Sequence, residues 1–268
     1  MPQFHIEDIN QLSMSCQYQC IINPNTQDIC GYEALTRFTD PNQNLIPPNI
    51  VFDALHEHPE QFASIELIAK QFQIQHAPQN SRLFINLDPH ALQPHTQPLM
   101  FDLLIRHQDI VVEIIENTCI QDAALSKTLI DELKRFNIPC ALDDVGAKHA
   151  MLSLEVLSKV DLVKFDKSWL EYDESTSLPQ LLSALIQFAK VSGKKTVLEG
   201  IETRQQLAFA QSLSVDYVQG FYFQSLFLTP KHNLPLSNAL AQQANIPTAN
   251  HKIDCNAEPY IHLMKQSS

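Results

Sequence analysis

The chain has 268 residues, of which 44% are hydrophobic and 18% charged, enough apolar material for a large core and too much for an intrinsically disordered segment. A net charge of -12 disfavours a nucleic-acid polymer or an anionic membrane surface as partner. Five glycines, none spaced G-x-G-x-x-G or as a Walker loop, remove the glycine-rich nucleotide cradles.

The N-terminus, Met1-Pro2-Gln3-Phe4-His5, lacks a basic stretch followed by an apolar one, and no run is long and apolar enough to insert in a membrane. The expected location is the cytoplasm. In chain order, short β-branched apolar runs predict strands over 19–22, 32–37, 83–87, 110–115, 140–145, 162–166, 196–199 and 217–223. Apolar residues spaced three and four apart predict helices over 62–73, 122–136, 178–191 and 204–213. Thr203 with Gln206 forms a capping-box pattern at the head of the last of these. The six residues from Asn23 to Asp28 are too few for a crossover helix, so the first two strands must be antiparallel. The expected fold is α/β, a (β/α)8 TIM-like barrel whose first strand runs antiparallel to the others. Residues 1–18 form a lead-in, 19–230 the barrel, and 231–268 a short helix near 236–244 followed by a loose tail.

Glu33, Asn86, Glu113, Asp143 with Asp144, Lys164 with Asp166, Glu199 and Gln219 fall at or near strand ends, which a barrel gathers at one mouth. So many carboxylates together repel unless a multivalent cation neutralises them. An all-oxygen set completed by the Asn86 carbonyl suits Mg2+, Mn2+ or Ca2+, and adjacent aspartates allow one carboxylate to bridge two ions. That chemistry is phosphodiester or phosphomonoester hydrolysis. Each carboxylate taken alone also reads as a helix cap or a solvated residue, Lys164 as the ion-pair partner of Asp166, and Asp166 as structural. The six cysteines, at 16, 20, 30, 119, 140 and 255, include no C-x-x-C pair and read as reduced core thiols. His56, His58, His90, His95 and His107 show no metal-binding spacing in the sequence and read as surface residues.

Glu33-Ala34-Leu35-Thr36-Arg37 resembles the signature of the EAL domain, the bacterial cyclic di-GMP phosphodiesterases. The likeness continues in order through Phe84-Ile85-Asn86-Leu87, Glu113-Ile114-Ile115-Glu116, Leu142-Asp143-Asp144-Val145-Gly146, Val163-Lys164-Phe165-Asp166, Leu198-Glu199-Gly200-Ile201-Glu202-Thr203 and Asp216-Tyr217-Val218-Gln219-Gly220-Phe221. The resemblance implies opening of cyclic di-GMP to the linear dinucleotide pGpG with one or two Mg2+ or Mn2+ ions, Ca2+ being inhibitory. It assigns Glu33, Asn86, Glu113 and Asp143 to one metal and Asp143 with Asp144 to the second. Glu199 matches a general base or second-metal ligand, and Lys164 the residue that orients the attacking water. Arg37 and Leu35 match contacts to the substrate, and Glu116, Glu202 and Gln219 residues that brace the site. Cyclic di-GMP is the implied partner, with a homodimer and a separate regulatory protein as further expectations. A degenerate relative that only binds cyclic di-GMP or a protein is the competing reading.

The sequence departs from the family pattern after Asp144, where Val145-Gly146-Ala147-Lys148-His149-Ala150-Met151 replaces the usual Phe-Gly-Thr-Gly-Tyr-Ser-Ser. Hydroxyls are lost there, and Lys148 is long enough to reach Glu116 in their place. The implied consequence is a weaker second-metal site and weaker loop-mediated dimerisation.

Overall fold

Along Ser13–Ile22 (β1), Met14, Cys16, Tyr18 and Cys20 are buried while the residues between them are half-buried, the period of a strand with one face against a core. A computed structural model describes residues 6–107, 109–115, 120–148, 150–172 and 176–244. β1 turns through residues 23–28 into Ile29–Thr39 (β2), and the two pair antiparallel from Ser13 opposite Thr39 to Ile22 opposite Ile29. The turn is held by Asn23, whose Oδ1 accepts from the backbone N–H groups of Asn25 and Thr26. The hairpin is longer than expected at both ends.

After β2 come Leu45–Ile46 (β3), helices Pro48–His56 (α1) and Pro59–Gln75 (α2), then Leu83–Asn86 (β4), Gln97–Arg106 (α3) and Ile110–Ile115 (β5). Ile120–Arg135 (α4), Cys140–Val145 (β6), Leu154–Lys159 (α5), Leu162–Phe165 (β7), Leu178–Val191 (α6) and Lys195–Leu198 (β8) follow. Arg204–Leu213 (α7), Tyr217–Val218 (β9), Leu234–Pro235 (β10) and Leu236–Ala244 (α8) complete the described chain. The eight strands β1, β2 and β4–β9 close into a barrel, parallel throughout except that β1 is antiparallel to both its neighbours, β2 and β9. This is the expected mixed barrel. β3 and β10 are two-residue additions at the outer edges of β2 and β1.

Three helices have no counterpart in the sequence reading, α1, α3 and α5. The first two carry a proline in their first turn, Pro48 and Pro98, which fits there because the first N–H groups have no intrahelical acceptor. The expected last strand, 217–223, is cut short at Val218: a Cβ on Gly220 would lie 2.2 Å from the backbone oxygen of Ile201, and beyond it the chain winds into a 3-10 helix, Phe221–Leu226. α8 lies where expected and is packed in place, with Leu236 fully buried. Among the described residues, no helix is long and apolar enough to cross a membrane. Cys16, Cys20 and Cys140 are buried free thiols, pushed up to about 12, 11 and 12 by loss of solvent, so they pack as apolar groups.

Strand alternation decides what fills the barrel. Ile21, Phe84, Val111, Ala141, Leu162 and Val197 form a separate apolar cluster, one side chain from each of six strands. Two residues further along five of those strands, on the same face, stand Asn86, Glu113, Asp143, Lys164 and Glu199. The apolar plug thus forms a floor, and the polar layer lies directly above it at the mouth. Glu33 corrects the strand-end reading: it sits inside the eleven-residue β2, opposite Phe84, because β2 continues past the mouth with β1.

Candidate functional site

Lys164 is fully buried, and its Nζ lies 2.7 Å from Glu113 Oε1, 2.8 Å from Asp143 Oδ1, 2.9 Å from Glu199 Oε1 and 3.7 Å from Glu33 Oε2. Asp166 is not its partner. That carboxylate caps the turn at 167–170 by accepting from the Ser168 backbone N–H, a structural role as expected. Glu33 is held by two amides: Asn86 Nδ2 donates to Oε1 at 2.9 Å and Gln219 Nε2 to Oε2 at 2.6 Å. With its nitrogen so engaged, Asn86 keeps its carbonyl oxygen as an acceptor.

Asp144 joins the cluster through a backbone irregularity. The β6–β7 register shifts between Leu142 and Val145, and Asp144 adopts a left-handed φ of 55°. Successive residues of a regular strand point to opposite faces; the bulge lets adjacent aspartates share one site. The turn is clamped from behind, where Trp169 Nε1 donates to the Val145 carbonyl at 2.6 Å. Gly146, at φ +90°, lies so close that a Cβ there would come 2.2 Å from that indole nitrogen. Trp169 was not anticipated as a support for the site, since nothing in the sequence near Asp144 points to it.

The carboxylates form two overlapping sets, Glu33 with Glu113 and Asp143, and Asp143 with Asp144 and Glu199, each with ligand atoms within 4.8 Å of one another. Four carboxyl groups, of Glu33, Glu113, Asp143 and Glu199, thus crowd one ammonium, and Asp144 stands beside them. Burial pushes Glu113 and Glu199 well above the ordinary carboxyl range, and Asp143 above it, against the pull of Lys164. Asp144 is pushed up to about 7 by burial and by Asp143 beside it. Glu33 goes the other way: its burial is outweighed by Lys164 and the two amide donors. Burial alone would strip Lys164 of its proton, but the surrounding carboxylates hold it well above its usual value.

This set fits a divalent cation. Among the described residues, both Glu113 oxygens and Asp143 Oδ1 are buried with no well-formed hydrogen bond, only the close charge of Lys164. These are hard oxygen donors with open lone pairs in a region of excess negative charge. A pH dependence follows for the metal-free protein. Between about pH 4 and pH 7 the unfolded chain has lost the Asp144 proton while the folded chain keeps it, so stability falls as pH rises through that window. Urea denaturation in chelator should show this decline, and Asp144→Asn should lessen it without abolishing it, since Glu113, Asp143 and Glu199 are raised too. Among the five carboxyls of the cluster, Glu33 contributes with the opposite sign.

Arg37 and Leu35 share the inner face of β2 with Glu33, beyond the carboxylates. Arg37 Nη2 donates to Gln17 Oε1 at 2.8 Å, and Gln19 Nε2 donates to the same oxygen at 3.1 Å. Gln17 thus orients the guanidinium, a residue missed because positions 1–18 read as a lead-in and the first strand was expected to begin at 19. Glu202 is exposed at the head of α7; its backbone N–H donates to Gln206 within the expected capping box, and its side chain is not brought to the cluster. Glu116 lies outside the described residues. The expected pairing of Lys148 with Glu116 therefore lies outside the described residues as well; Lys148 Nζ is 3.4 Å from Glu171 Oε2, with both side chains exposed.

A mixed barrel with one reversed strand and a shared-aspartate carboxylate centre at its mouth defines a narrow class. The chain belongs to the EAL domain family, whose model matches residues 7–225. It is 25% identical over 217 residues to the probable cyclic di-GMP phosphodiesterase PdeN of Escherichia coli, covering 76% of this chain and 42% of that protein. It is 26% identical over 200 residues to the cyclic di-GMP phosphodiesterase PdeA of Borreliella burgdorferi, covering 70% of this chain and 30% of that protein. The match thus spans less than half the length of either relative. Among solved structures, a manganese and cyclic di-GMP complex of BlrP1 from Klebsiella pneumoniae superposes with a TM-score of 0.64 at 21% identity, covering 82% of this chain and 56% of that one. It shares the fold.

Proposed function

We propose that the protein hydrolyses cyclic di-GMP to the linear dinucleotide pGpG with Mg2+ or Mn2+. The observation that carries this reading is Asp143 standing in two carboxylate sets at once, with Lys164 among them. Relatives named as cyclic di-GMP phosphodiesterases support the choice of substrate. Glu33, Asn86, Glu113 and Asp143 would hold one ion, and Asp143 with Asp144 a second. Bound there, divalent ions supply Lewis acidity toward the phosphoryl group.

The chain's own residues do the rest. Glu199, a carboxylate of the second acidic set, takes a proton from the attacking water. Lys164, 2.9 Å from Glu199, orients that water and offers a fixed positive charge to the phosphoryl oxygens as negative charge builds. The water oxygen bonds to phosphorus and the P–O3′ bond breaks; the departing oxygen ends as a 3′-hydroxyl. Arg37 and Leu35 hold the substrate on the β1–β2 hairpin, the guanidinium bonding phosphate. Gln219 and Asn86 keep Glu33 ionised and aimed.

Paired measurements of turnover and of cyclic di-GMP binding separate an enzyme from a binding module. Glu199→Gln should slow turnover by roughly two orders of magnitude or more with affinity within about tenfold, because its work lies in the transition state. Arg37→Ala should weaken binding instead. Tight binding by the unaltered protein with no turnover under either metal would overturn the hydrolytic reading in favour of a binding module.

A further inference from the structure

We propose a second metal site, specific for zinc-class ions, formed by His56, Asp88 and His90 outside the barrel mouth. His56 ends α1, and Asp88 and His90 lie in the turn that follows β4, so the three residues come from two separate segments. Sequence spacing alone gave no hint of this, because the two histidines lie 34 positions apart and α1 itself was not foreseen.

The carboxylate is the hinge of the cluster. His56 Nε2 lies 3.1 Å from Asp88 Oδ2, and His90 Nδ1 lies 3.0 Å from Asp88 Oδ1, so each imidazole faces a different oxygen. The three ligand atoms all fall within 4.8 Å of one another. Ligands bound at about 2.0–2.2 Å in a tetrahedron stand roughly 3.3–3.6 Å apart, so each imidazole–carboxylate approach needs to open by only a few tenths of an ångström to admit an ion. Its parts are already fixed. The His90 backbone N–H donates to Asp88 Oδ1 at 2.8 Å, and the His56 ring packs on Phe62 with centroids 4.8 Å apart. Side-chain exposures of 41% for His56 and 39% for His90 leave room for water to complete the coordination.

Two imidazole nitrogens with one carboxylate oxygen form a borderline donor set, which prefers Zn2+, Co2+ or Ni2+ to Mg2+. The mouth offers only hard oxygens. The two sites would therefore sort ions by chemistry, the rim ion tying α1 to the segment that also carries Asn86. Hydrogen bonding alone explains the same contacts if no ion enters, and the experiment separates the two.

The test uses the full chain, stripped with chelator and titrated with Zn2+ in millimolar Mg2+, by calorimetry and by thermal melting. His56→Ala and His90→Gln are compared with the unaltered protein. The expected result is one more Zn2+ bound by the unaltered protein than by either variant, or that site weakened at least tenfold in both, with a Zn2+-dependent rise in melting temperature confined to the unaltered protein. Equal Zn2+ stoichiometry and affinity in all three would overturn the proposal and leave a hydrogen-bonded knot. Neither histidine belongs to the proposed catalytic machinery, so loss of Zn2+ binding with cyclic di-GMP turnover intact, or the reverse, tells the two readings apart.

Discussion

Lys164→Met should abolish measurable turnover and, in the metal-free protein, cost about 3–5 kcal/mol of stability, the range for removing one partner of a buried ion pair. The substitution preserves the length and bulk of the stem above the Leu162 layer, so the loss would come from charge and not from a cavity. Without the ammonium, Glu113, Asp143 and Glu199 have no cation within contact distance among the described residues. They would respond by binding protons, and added Mg2+ should restore more stability to the variant than to the unaltered protein. Urea denaturation with and without Mg2+ reads this directly. A variant with ordinary turnover would make Lys164 a structural counter-ion only.

Asp143→Asn should have the largest effect on metal binding, because this carboxylate belongs to both acidic sets. Changes to residues that merely support a metal ligand cost about 10–100-fold in affinity, so loss of a shared ligand should cost about a hundredfold or more. Turnover should fall with it. Stability in chelator should move the other way: an uncharged amide is spared the loss of solvent that burial imposes on the Asp143 carboxylate, and with it the repulsion from Glu33 and Asp144. Mn2+ calorimetry and melting curves in chelator check the two halves separately. A metal-free variant less stable than its parent would show that Lys164 already compensates the cluster fully.

Much of this architecture was legible before any coordinates, and for a physical reason. The strand pattern 84/86, 111/113, 141/143, 162/164 and 197/199 places an apolar residue two positions before a polar one, which strand periodicity converts into a floor and a reactive layer. The short connection 23–28 likewise dictated the reversed first strand. What escaped were features set by contacts distant in sequence. Trp169 clamping Gly146, Gln17 holding Arg37, and His56 meeting Asp88 and His90 all join segments whose proximity no local pattern encodes. The approach of Lys148 to Glu171 escaped for the same reason. Helices α1 and α3 escaped because their prolines look like breakers until their place at a helix start is known, and α5 because six residues are too few to show a helical period.

The most direct test is the mass of the product. Metal-stripped protein incubated with cyclic di-GMP should leave it unchanged, and added Mg2+ or Mn2+ should convert it to one linear dinucleotide heavier by one water, with Asp143→Asn inert under the same conditions. Cyclic di-GMP recovered intact with either metal, or converted equally well in chelator, would contradict the account.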